Sequence, residues 1–208
     1  MTAMRSLFAT SVYEVSLADE PHFATFNAEM ESAAWSFADD DLAGQAWCAA
    51  NGYGGYTSYG SLNDLPTRAP AFGALKRRLD KHAAAFAEAL AFDLGPKGKL
   101  RLDSLWVSIL EPGAAHSGHI HPHSVISGTV YIATPPGSGG LRLEDPRLGL
   151  MMAAPPLRKD TPGVSGRFVT LTPAAGTLFM WESWLRHEVL PNQADEPRIS
   201  ISFNYAWG

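Results

Sequence analysis

One cysteine, Cys48, is too few for an intrachain disulfide, and no Cys pair is present to build a zinc ribbon or a redox motif. A reducing, cytoplasmic setting fits that usage. Positive charge is scarce as well: 16 Lys and Arg stand against 21 Asp and Glu, a formal net charge of -5 with a pI near 5.8. Such a chain has no general basic field with which to gather nucleic acid or anionic lipid. Long apolar runs are missing too. None approaches the roughly 20 residues of a membrane helix, and the stretch from Leu7 to Val12 behind Arg5 lacks both the apolar length and the small-residue cleavage site of a signal peptide. No segment repeats at a fixed period. What is present is 208 residues with 46% apolar content, enough for one domain with a sizeable core.

Within that single domain (1–208) the character changes near residue 99. The first part, 1–99, reads as helices and loops, with Leu7 to Val15 as a candidate strand for a sheet formed later in the chain. Phe72, Leu75, Leu79, Ala83, Phe86 and Leu90 recur at steps of three and four, which predicts a helix over Ala69 to Phe92 with one apolar face. Phe23, Phe26, Met30 and Ala34 predict another over roughly Glu20 to Ala38, with Pro21 near its first turn. Between them, Trp47 to Tyr59 is rich in Gly and Tyr and reads as an irregular loop, a candidate lid or substrate wall.

After Gly95-Pro96-Lys97-Gly98 the chain turns to short β-type runs. Strands are expected over Leu100 to Glu111, His119 to His121, Ser127 to Ala133, Gly140 to Leu143, Phe168 to Thr172, Thr177 to Trp181, His187 to Leu190 and Ile199 to Tyr205. That many short strands imply a sandwich or barrel in 100–208. Met151 to Gly166 reads as a long loop with three prolines.

Chemistry concentrates in the histidines. Four of the seven, His116, His119, His121 and His123, fall within eight residues. Alternate residues of a strand share a face, so His119 and His121 project together while Ile120 turns into packing. Two imidazoles leave a metal under-coordinated, and His187 is the natural third donor. Surface histidines in a polar turn, or a His187 bonded only to backbone, account for the same letters. His116 and His123 suit contacts around the site better than ligation, and His82, beside the apolar face of a helix, suits a structural role. The last strand alternates strictly. Arg198, Ser200, Ser202 and Asn204 share one face, which is either an ordinary solvent face or, inside a barrel, a carboxylate clamp in which the Arg198 guanidinium and the Ser200 hydroxyl donate together.

Several pieces in order, Pro112-Gly113, His119-Ile120-His121-Pro122, Ser127-Gly128-Thr129-Val130-Tyr131, Asp145-Pro146-Arg147, Gly176-Thr177-Leu178-Phe179, Trp184-Leu185-Arg186-His187 and Arg198 through Asn204, resemble a family of small 2-oxoglutarate–Fe(II) oxygenases. The resemblance covers roughly residues 100–207. It implies a double-stranded β-helix, that is, a cupin-like jelly roll, and a dioxygenase using Fe(II) with 2-oxoglutarate as cosubstrate. It also implies metal ligation by His119 and His187, and a hold on the far carboxylate of 2-oxoglutarate by Arg198 and Ser200. His121 stands where the wider group has Asp or Glu, so the metal set is His119, His121 and His187, one negative charge short of the usual facial triad. The implied substrate is a small molecule or peptide, with neither nucleic acid nor membrane as partner, and the sequence is compatible with a homodimer.

Two rival readings use the same residues. A cupin-like metalloenzyme without 2-oxoglutarate would explain Gly113 followed by the His pair, although Val125 and Ile126 stand where a cupin Glu is expected. A metal-containing β-barrel binding module would need no catalysis at all.

Overall fold

The structure, a computed structural model, describes residue 5 and residues 7–158 and 166–208. Helices come first, as the apolar periodicity requires: α1 (Phe23–Asp40), α2 (Leu42–Asn51), the single turn α3 (Leu65–Arg68) and α4 (Pro70–Ala89). Two early strands, β1 (Val12–Ser16) and β2 (Gly55–Thr57), are interspersed among them. The second half supplies β3 (Leu100–Leu110), β4 (His116–His119), β5 (Ile126–Ala133), β6 (Leu141–Glu144), β7 (Phe168–Leu171), β8 (Thr177–Glu182), β9 (His187–Val189) and β10 (Arg198–Trp207).

The strands form two antiparallel sheets. The larger has the order β1-β8-β5-β10-β3-β2 and the smaller β4-β9-β6-β7. One face of the larger sheet is covered by the helices. Phe72, Leu75, Leu79 and Phe86 of α4 are fully or almost fully buried there with Leu105, Val107, Ile201 and Phe203, and each such side chain contributes about 1.5–3 kcal/mol. Its other face meets the smaller sheet through Tyr131, Leu141, Phe179, Trp181 and Leu185. This second layer is thin in apolar contacts because part of the space between the sheets is lined by polar groups.

The early strand finds its partner late in the chain: Val12 through Ser16 pair with Trp181 through Thr177. Three expectations need correction. Trp47 lies in α2 and not in a loop, because Asp41 caps that helix by accepting from Gly44 N at 2.9 Å and Gly52 ends it in the left-handed conformation. The first helix starts at Phe23, so Pro21 sits in the turn before it. The histidine strand ends at His119, and Ile120 is 46% exposed instead of turned into packing. Of the proline-rich loop expected over Met151 to Gly166, residues 159–165 lie outside the described residues.

Candidate metal centre

The smaller sheet places two histidines directly opposite each other. His119 on β4 pairs with His187 on β9, and their ring centroids are 4.4 Å apart. His121, just past β4, joins them at 5.1 Å from His119 and 5.2 Å from His187. The expected trio is therefore assembled, with ligand atoms all within 4.8 Å of one another. The route differs from simple alternation. His116 pairs with Val189 and His119 with His187, three residues on one strand against two on the other. That bulge brings His116 to the face of His119, their rings 4.7 Å apart, while His121 is turned inward by its backbone bond to the Ser183 carbonyl.

Each imidazole of the trio is tied back through Nδ1. The acceptors are the Ser117 carbonyl for His119 at 2.7 Å, the Leu185 carbonyl for His187 at 2.9 Å, and Asn204 Oδ1 for His121 at 2.7 Å. A carbonyl or amide oxygen only accepts, so each Nδ1 carries a proton and Nε2 is the nitrogen left to face a metal. Asn204 is itself fixed: Oδ1 also accepts from Ser127 at 2.7 Å and Nδ2 donates to Ser104 at 2.9 Å. The buried Nε2 of His121 has no hydrogen-bond partner. Three oriented nitrogen donors with that orphan among them fit a divalent transition metal. Burial, reinforced by the neighbouring imidazoles, pushes His187 down to about 3 and His121 to about 4. Both are thus in the neutral form that ligation requires.

The carboxylates are elsewhere. Glu188 pairs with Arg142, Glu144 with Arg186 and Asp145 with Arg147, so the acids nearest in sequence hold loops and strand edges. Arg147 has the same structural role. Trp181 lays its edge on His187 at 4.6 Å, whereas Trp184 is half exposed.

Arg198 completes the site. It is 2% exposed, yet its Nε and Nη1 make no hydrogen bond, and its guanidinium lies 4.8 Å from the Tyr131 ring centroid. Ser200 follows on the same face, and Arg198, Ser200, Tyr131 and Ser108 line one cavity. The three histidines form another part of the same lining. A buried cation with unused donors suits an anionic ligand, because an unmade bond to a buried donor is costly. Burial raises the Tyr131 phenol while the adjacent Arg198 opposes the rise, so Tyr131 reaches the cavity as a neutral hydroxyl. Two participants escape a sequence reading: Tyr53, which enters the cavity from the N-terminal part, and the Asn204 hub. Only the polar face of the last strand hinted at the second.

Residues 104–204 match the family described as "Putative 2OG-Fe(II) oxygenase". No curated protein sequence matches the chain. Among solved structures, the prolyl-4-hydroxylase of Pseudomonas putida is similar over 95% of this chain and 93% of its own, at 18% identity and a TM-score of 0.62. SnoN, a non-haem α-ketoglutarate-dependent epimerase of nogalamycin biosynthesis, is similar over 95% and 76% respectively, at 19% identity and a TM-score of 0.61. HygX of Streptomyces hygroscopicus, solved with nickel and 2-oxoglutarate bound, covers 95% and 82% at 14% identity and a TM-score of 0.58. These likenesses establish the double-stranded β-helix fold. The family match falls within residues 100–207, the stretch that carries the resemblance read from the sequence.

Proposed function

We propose that the chain is an Fe(II)- and 2-oxoglutarate-dependent dioxygenase that hydroxylates a small molecule or peptide, with His119, His121 and His187 as metal ligands and Arg198 and Ser200 as the clamp for the far carboxylate of 2-oxoglutarate. The observation that carries this reading is the coincidence, in one cavity, of three Nδ1-anchored imidazoles with a buried guanidinium that has unsatisfied donors. Bound iron and 2-oxoglutarate would supply oxygen activation coupled to cleavage of the keto acid to succinate and CO2, with one oxygen atom delivered to a substrate C–H bond. The chain's own residues orient and exclude. Ser117, Leu185 and Asn204 fix the imidazole planes, Arg198 with Ser200 sets the direction of the cosubstrate, and Trp181 seals the side of His187.

The all-imidazole donor set also favours a second reading, a cupin-like metalloenzyme without 2-oxoglutarate; a metal-containing binding module is the third. Anaerobic addition of Fe(II) and 2-oxoglutarate separates them. The proposal expects a visible metal-to-ligand charge-transfer band in the wild type and none in Arg198→Met or His187→Ala. Absence of the band in the wild type, or its persistence without Arg198, refutes it.

A further inference from the structure

Asp103 interrupts the alternation of β3. Asn204 pairs with Ser104 and Tyr205 with Leu102, so Asp103 is the one residue between them with no partner on β10. Strict alternation would put it on the face of Leu105 and Val107, which is buried in the core that contains the helices. The bulge instead leaves it beside Ser104 and Trp106 in the lining of a cleft of about 670 Å³. That volume is in the range of small-molecule sites. The cleft shares His116, His119 and His121 with the inner cavity and extends to Tyr59, which is 61% exposed.

Aromatic rings dominate its walls. Tyr59 meets Trp106 edge-on at 5.1 Å and Trp47 at 6.5 Å, and Trp106 stacks on His121 at 6.0 Å. No Lys or Arg lines the cleft, and Asp103 has no hydrogen-bond or ion-pair partner among the described residues. Aromatic walls alone would suit a neutral ring. A solitary, unpaired and exposed carboxylate on an aromatic-lined cleft suits a cation, which gains from the ring quadrupoles and the charge together. We propose that this cleft binds a small molecule bearing a cationic nitrogen, held by Asp103 and the aromatic walls and presented to the histidine centre. The cation-binding mouth and the anion-binding Arg198 then keep substrate and cosubstrate apart by charge. The inference rests on the oxygenase reading for what happens to the bound molecule, but not for its binding.

Three probes of matched shape test it: choline, the neutral 3,3-dimethylbutan-1-ol and the anionic 3,3-dimethylbutanoate. The quaternary nitrogen of choline has no lone pair for a metal. Binding to the full-length, Zn(II)-loaded protein is read by the fluorescence of its tryptophans. Choline is expected to bind about tenfold more tightly than the alcohol, with the acid weakest. Asp103→Asn should bring choline to within about threefold of the alcohol, and Asp103→Glu should restore the preference, a pattern that a merely structural role would not give. Equal affinity for choline and the alcohol, a preference that survives Asp103→Asn, or no saturable response to choline overturns the inference. A charge-transfer band without choline discrimination would sink the cleft alone, whereas discrimination without the band would sink only the oxygenase reading.

Discussion

Arg198→Met should make the metal-free protein more stable while abolishing its response to 2-oxoglutarate. The arginine is buried, and two of its donor nitrogens are unbonded. An unsatisfied buried donor costs about 1–3 kcal/mol, so two cost roughly 2–6 kcal/mol, of which the Tyr131 face returns about 0.5–2 kcal/mol. The balance, roughly 0–5 kcal/mol, brackets the gain of about 1–4 kcal/mol commonly seen when a buried charge gives way to an apolar side chain of similar size. Methionine keeps much of the apolar stem and leaves no charge behind. Urea denaturation of the metal-free proteins measures the difference, and a thermal scan should show a rise of about 2–4 °C for each kcal/mol gained in a domain of this size. The second half of the prediction runs in reverse. With Fe(II) present and oxygen excluded, 2-oxoglutarate at 100 times its Kd should stabilise the wild type by about 2.7 kcal/mol and the variant by nothing measurable. A metal-free Arg198→Met protein less stable than the wild type by more than about 1 kcal/mol would refute the reasoning, since the arginine would then be a structural member of the core.

Two further substitutions probe the support of His121 and the cap of α2. Asn204→Ala frees the His121 ring and should weaken Zn(II) or Fe(II) binding about 10- to 100-fold in chelator competition; Asn204→Asp, which offers His121 Nδ1 an anionic acceptor, should retain or exceed wild-type affinity, and equal losses in both would show that Asn204 acts only through packing. Burial pushes the Asp41 carboxyl up, but hydrogen bonds from Ser61, Gly44 and Tyr56 outweigh it and hold the group below its ordinary range. Because the folded pKa is depressed, this stabilisation is complete above the unfolded value of about 3.9 and is lost as pH falls through the folded one. Asp41→Asn should therefore cost about 1–3 kcal/mol at pH 7, with the gap to wild type closing below about pH 4; a gap independent of pH would mean that the charge is not what stabilises.

The elements easiest to read in the sequence are those whose pattern is complete within the segment. α4 announces itself through Phe72, Leu75, Leu79, Ala83 and Phe86, and β10 through its unbroken polar-apolar alternation. The trio His119, His121 and His187 was legible because its chemistry is unusual, even though strand parity is not what assembles it. α2 was not legible. Its Asp41 cap works through Gly44 and through the distant Tyr56 and Ser61 hydroxyls, and no local periodicity encodes such partners. The Asn204 hub and the entry of Tyr53 depend in the same way on residues far apart in sequence. Register is hardest of all: the extra residues at Asp103 in β3 and Ile132 in β5 and the offset between His116 and His119 exist only relative to a neighbouring strand.

The bulge at Asp103 has a bearing on how this mouth could arise or vanish. A substitution at 103 changes what the extra residue is, whereas removing the residue lets Leu102 and Ser104 close into a continuous ladder with Tyr205 and Asn204 and leaves no side chain to face the cleft at that point. In related genes, gain or loss of the cleft-facing position itself would thus register as a one-codon insertion or deletion. Comparisons that score only exchanged letters in aligned columns would overlook it.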